Sequence, residues 1–258
     1  LSTVLGAYGG LTTYIIGQGT VLAALFGGKA MVYSLMFWAI ISCFLLLEIR
    51  KIKVVSLFFV VCMLFVVIGI VFFGGQAMSI NNLSYLDVSQ LFSPYGVILF
   101  AYGGTAAVVT VRQILRRREK KVFPAVFLGT LIPALVYVIF SSVVVGITGR
   151  NTTEVATVGL GQVLGYWMLI FGNLFAFFSM GSVFLNSGLI LREFYQYDLR
   201  IKKFWAWLLV ISVPLLLFLF LTHDFVKTMG VAGSFAYGIT GIIIVFTFWR
   251  AKKKGDRV

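Results

Sequence analysis

Residues 100 to 105, FAYGGT, place two aromatic rings, paired glycines and a hydroxyl inside the apolar segment SPYGVILFAYGGTAAVVTVRQILRRREKK. Consecutive glycines weaken a helix interior by about 1 kcal/mol each. A helix that unwinds at such a point presents free carbonyls on one side and free amides on the other, and these groups can ligate the charged ends of a small zwitterion or an ion. Acid–base and metal chemistry have no comparable centre. The eight acidic residues, Glu48, Asp87, Glu119, Glu154, Glu193, Asp198, Asp224 and Asp256, all lie at the ends of apolar runs or between them, and the single histidine, His223, sits in a turn. An intramembrane protease, a haem protein or a metal-dependent membrane enzyme needs several such groups within mutual reach. The chain therefore reads as a non-enzyme, without a cofactor or a metal site.

The elements that must position these residues follow from composition. Sixty per cent of the 258 residues are apolar, 11% are charged, and mean hydropathy is +1.04. So few polar residues cannot cover a globular surface, and an integral membrane protein is expected. Eight apolar runs suit helices over about 2–26, 30–47, 53–74, 94–115, 122–147, 164–191, 204–221 and 228–249, since roughly 20 residues at 1.5 Å each cross about 30 Å of hydrocarbon.

The net charge is +13, yet the basic residues come in short clusters between the runs. That is the pattern of topology signals and not of a nucleic-acid surface. Eighteen of the 21 basic residues fall in alternate connections at 50–53, 112–121, 192–203 and 250–257, and only Lys29, Arg150 and Lys227 fall on the other side. The first run then starts in the cytoplasm of a multi-pass plasma-membrane protein, and the loops at 75–93 and 149–163 are external. Within the second loop, TTEVATVGLGQVLG suits a short helix. Cys43 and Cys62 have no metal or redox spacing and read as packing residues. The opening LSTVLGAYGG has no methionine, basic segment or cleavage pattern, and reads as the interior of a longer protein.

Pro94 and Gly96 mark the outer end of the fourth run and the arginine cluster its inner end, which puts FAYGGT near the midplane. Two readings stay open for this stretch. The helix is broken there to make a binding site, or Gly103 and Gly104 only let a neighbouring helix approach. The glycines between Gly6 and Gly10, and Gly230, Gly233, Gly238 and Gly241, read mainly as packing.

The segment SPYGVILFAYGGTAAVVTVRQILRR resembles the sixth helix of amino acid permeases of the amino acid/auxin and aromatic amino acid permease group. TTYIIGQGTVLAALFGG resembles their third helix, VATVGLGQVLG with GNLFAFFSMGSVFLNSGLILREFYQYD their external loop and eighth helix, and VAGSFAYGITGIIIVFTFWRAKKKGDR their tenth. The resemblance implies the leucine-transporter-type fold, an all-α bundle of two inverted five-helix repeats in which the first helix of each repeat is broken. Residues 1–258 then form one transporter domain, with 1–74 the remainder of the first repeat and 94–249 the second. Two helices are expected upstream and an eleventh downstream.

The function implied is secondary active transport of a neutral or aromatic amino acid by alternating access. Carbonyls around Phe100, Ala101 and Tyr102 would take the substrate ammonium, and the rings of Phe100 and Tyr102 would wall the pocket. Gly103 and Gly104 would give the backbone room, and Thr105 would cap the second half-helix. Tyr14 is the candidate for the carboxylate, Ser179 for completing the pocket and Ser182 for an ion site. Two positions depart from the family pattern. Val109 stands where proline is common, and Ser182 is followed by Val183 where sodium-coupled relatives carry a second hydroxyl, so a proton gradient and a sodium gradient both remain candidates. The expected partners are the amino acid and the lipid bilayer, with oligomeric state open. The rival reading is a channel or structural membrane subunit, although the ring of repeated carbonyls or charges that a pore needs is not visible.

Overall fold

The computed structural model describes residues 2–47, 49–84, 87–104, 108, 111–112, 115–220 and 224–254. Among them all regular structure is helical. In chain order the helices are α1 (Ser2–Phe26), α2 (Ala30–Phe44), α3 (Ile49–Gly74), α4 (Tyr95–Ala101), α5 (Val122–Thr148), α6 (Ala156–Leu164), α7 (Tyr166–Glu193), α8 (Lys203–Phe220), α9 (Phe225–Val231) and α10 (Gly238–Lys254). π-Helical segments at Phe194–Asp198 and Ala232–Tyr237 extend α7 and join α9 to α10.

Six described segments are long and apolar enough to cross a bilayer: Val4–Phe26, Val54–Ala77, Glu119–Asn151, Tyr166–Asp198, Lys203–Phe220 and Phe225–Ala251. The protein is a multi-pass helical membrane bundle. A helix is the natural solution for such segments because lipid offers no partner for a backbone amide or carbonyl. Large side chains such as Phe65, Phe73 and Phe220 remain exposed on its outer faces. The stretch around residue 160 forms the short helix α6, as expected.

Two of the eight expected spans come out differently. α2 has 15 residues, about 22 Å of helix, and stops at Phe44 instead of 47. Its exit tightens through bonds from the amides of Leu45, Leu46 and Leu47 to carbonyls three residues back. Arg192 of α7, 2% exposed, donates to the carbonyls of Leu45 and Leu47. A guanidinium thus meets the carbonyl end of α2, where the helix dipole favours a cation. The other exception is 94–115, where α4 ends after seven residues.

α1 lies at the centre. Leu11 and Ile15 are fully buried with Phe184 and Phe218. The turn into α2 runs through Gly27 and Gly28 at φ +73° and +90°, a region where a Cβ is strained. Pro214 inside α8 cannot donate to the carbonyl four residues earlier. The carbonyls on either side of that position, at Leu209 and Ile211, accept side-chain donors, from the Tyr8 hydroxyl at 3.3 Å and from the Trp38 indole at 3.0 Å.

The last helix is drawn against both α1 and α4 by small residues. A Cβ on Gly6 would stand 2.8 Å from that of Ala236, and one on Gly9 would stand 2.6 Å from that of Ala232. On the other side, a Cβ on Gly233 would overlap the Gly96 carbonyl, and one on Gly96 would overlap the Gly230 carbonyl. The Ala232–Tyr237 segment is therefore wedged between α1 and α4 at backbone distance, which fixes the chain that enters FAYGGT.

Candidate functional site

α4 unwinds where the glycines predict. Its ladder is regular as far as the amide of Tyr102, which donates to the Ile98 carbonyl at 3.1 Å. The next amides fall short of their helical partners, Gly103 donating to Phe100 at 3.1 Å and Gly104 to Tyr102 at 2.6 Å. Tyr102 is the C-cap, Gly103 and Gly104 lie outside the helix, and helical backbone reappears at Val108, Val111 and Arg112. Among the described residues the Ala101 carbonyl receives no backbone donor. It lies at the carbonyl end of α4, the electronegative pole of a helix, which suits a cation. Thr105 lies outside the described residues.

Phe100 and Tyr102, two positions apart, sit on opposite sides of the break. The Phe100 ring faces α1, with its centroid 6.0 Å from that of Tyr14, and touches Tyr237 edge-on at 5.9 Å. A Cβ on Gly103 would overlap the Tyr237 ring, so glycine is required for this close approach. Tyr102 turns instead to α5 and meets Tyr137 edge-on at 5.9 Å.

Space for a ligand lies on the Tyr102 side. A cavity of about 270 Å³ is lined by Ala101, Tyr102 and Gly104 from the break and by Gly129, Pro133 and Tyr137 from α5, among others. That volume is close to the lower end of small-molecule sites, roughly 300 Å³. Among the described residues no charged side chain lines it, and the polar groups it presents are backbone groups and hydroxyls. A larger cavity of about 700 Å³ between α1, α8, α9 and the last helix is lined mainly by apolar side chains, with Lys227 and Thr228 of α9 among them.

The α7 residues are placed apart from this cavity. Ser182 is 2% exposed, and its hydroxyl lies 2.9 Å from that of Ser56 on α3, which also accepts from Asn186. This polar cluster ties α7 to α3. Ser179 is half-buried one turn earlier, beside the Met180 that packs with Tyr14. The structure therefore brings Tyr14 to Phe100, and Ala101, Tyr102 and Gly104 to one cavity, while the hydrogen bonds of Ser182 run to α3.

Residues 1–258 match the tryptophan/tyrosine permease family. The chain belongs to that family. It is an amino acid permease, as the resemblance of its helices implies, and hence a transporter of small molecules. No curated protein and no solved structure matches it.

Three residues of the permease near the break are absent from the sequence-based site. Tyr237 arrives by way of the π-helical segment. Tyr137 and Pro133 lie with Gly129 at a spacing of four, on one face of α5, and that spacing around a proline was the available signal.

Proposed function

We propose that the permease carries neutral aromatic amino acids across the plasma membrane by alternating access, on a leucine-transporter-type scaffold of two inverted repeats. The observation that carries this reading is the end of α4 at Ala101 beside a cavity of about 270 Å³. The carbonyls of Ala101 and its neighbours accept from the substrate ammonium in charge-assisted bonds of about 1.5–3 kcal/mol each. Gly104 leaves the backbone open to the ligand, the nearest atom to a Cβ there being the Tyr102 carbonyl oxygen at 4.0 Å. Tyr14 is the donor proposed for the carboxylate, with Thr105 capping the second half-helix; Ser179, apart from this cavity and near the Met180 that packs with Tyr14, is proposed for the α1 side of the site. Transport is driven by a proton or sodium gradient, and Ser182 is the proposed contributor to an ion site.

Uptake of labelled amino acids into vesicles containing the full-length protein tests this, with proton and sodium gradients imposed separately. Saturable uptake of tyrosine or tryptophan, stimulated by one gradient and not by the other, is the expected result. Uptake of leucine or glutamate with none of any aromatic amino acid overturns the substrate class, and an equal rate without either gradient overturns the coupling.

A further inference from the structure

Pro133 interrupts α5 beside the cavity, and what it leaves behind is an acceptor. Lacking an N–H, it cannot donate to the carbonyl of Gly129 four residues earlier, and both residues line the cavity. Gly129 has nothing within 4 Å of where a Cβ would stand, so the backbone there is open. Thr130, the next residue and also part of the lining, donates its only hydroxyl hydrogen to the Val126 carbonyl at 2.9 Å. The Thr130 oxygen therefore presents lone pairs alone. Two acceptors with no donor of their own stand together in a membrane-embedded wall. One turn beyond Pro133, Tyr137 presents its ring against that of Tyr102.

We propose that this cavity receives the side chain of the substrate and selects a ring bearing a hydrogen-bond donor, with the Gly129 carbonyl and the Thr130 hydroxyl as the groups that read it. The assignment rests on the reading that the permease carries aromatic amino acids. Phenol O–H and indole N–H satisfy the acceptors, and Tyr102 and Tyr137 offer their faces and edges to the ring. Phenylalanine would displace water from the same acceptors and return nothing. A site built to bond a donor rejects the analogue that lacks it much more strongly than an apolar pocket rejects a missing methylene. Pro133 is a positioning residue here, because it frees the acceptor without touching the ring's donor.

Competition assays with the full-length permease in vesicles test the assignment through ratios, so that differences in folded yield cancel. With wild type, phenylalanine and O-methyltyrosine compete at least about tenfold more weakly than tyrosine, and 1-methyltryptophan more weakly than tryptophan by a similar factor. Pro133→Ala restores an N–H that ties up the Gly129 carbonyl, and the tyrosine-to-phenylalanine ratio falls to within about threefold. Thr130→Val lowers the same ratio by a different route and serves if the proline variant does not fold. Equal competition by donor-bearing and donor-free rings in wild type overturns the inference, as does an undiminished ratio in the folded variants. In those cases aromatic transport itself still stands. If no aromatic amino acid competes at all, the reading of substrate class fails and this assignment fails with it.

Discussion

Replacing Gly103 with alanine tests whether the break keeps its shape by packing on Tyr237. The new methyl group would stand 2.9 Å from the Tyr237 Cε2 and closer still to Cε1 and Cζ. Tyr237 has little freedom to retreat, because its ring already meets Phe100 edge-on at 5.9 Å. Phe100 is held in turn by Tyr14, at 6.0 Å between centroids, and by Gly10, where a Cβ would stand 3.3 Å from the Phe100 ring. Overfilling such a site costs about 1–3 kcal/mol, which is roughly 5- to 150-fold in the population of the native arrangement. Gly104→Ala is the matched control. Among the described residues its methyl group meets only the Tyr102 carbonyl oxygen, at 4.0 Å. Thermal unfolding of the purified protein in detergent should show Gly103→Ala clearly destabilised and Gly104→Ala close to wild type. Adding Tyr237→Leu to Gly103→Ala should recover at least about 1 kcal/mol relative to additivity, since contacting residues couple in double-mutant cycles. Equal stability of the two alanine variants, or strict additivity with Tyr237→Leu, would refute the reasoning.

Gly233→Ala should be more damaging than Gly103→Ala, because its methyl group overlaps the backbone carbonyl of Gly96, which no rotamer change can move; wild-type folded yield from membranes would rule out the wedge between α1 and α4. Ser182→Ala removes the bond to Ser56 in the α3–α7 cluster and should cost about 0.6–1 kcal/mol, read as a small fall in melting temperature; a loss several times larger would mean that the hydroxyl holds more than Ser56. Asp224 caps α9, accepting from the Lys227 amide at 2.9 Å and pairing with its Nζ at 2.9 Å, and these bonds hold its carboxyl below the usual carboxylate range. Its contribution is therefore full above the unfolded value and fades as pH falls through the lowered folded one, so melting temperature should fall more steeply below about pH 4 in wild type than in Asp224→Asn; parallel slopes would contradict the role of this pair.

Where the physics is local, the sequence carries it. The glycine pair sits between a proline and an arginine cluster in one apolar segment, and the existence of the break can be read from that segment alone. Long apolar runs likewise announce the crossing helices, and a short, less apolar one announces α6. The misses come from contacts made across the chain. α2 ends early at Phe44, and the carbonyls of Leu45 and Leu47 just beyond it accept from Arg192, nearly 150 residues away. Ser182 finds its partner on α3, and nothing in the residues around it distinguishes that bond from one to its own helix. Tyr237 is brought to the break by a π-helical segment, whose wider turn shifts every following side chain off the 3.6-residue pattern. Phe100 and Tyr102, adjacent in any list of aromatic walls, face different neighbours because two steps along a helix turn a side chain through about 200°.

The central claim is that a substrate amino acid binds against the unwound backbone at Gly104. Protection of a single cysteine at that position tests it most directly. Cys43 and Cys62, with any further cysteine of the full-length permease, are first replaced by serine or alanine. Gly104→Cys in the full-length permease is then alkylated by a small thiol reagent, with and without saturating tyrosine or tryptophan. The account predicts that either aromatic amino acid slows the reaction at least about fivefold while glutamate leaves it unchanged. An alkylation rate indifferent to an aromatic amino acid that the same vesicles demonstrably take up would contradict it.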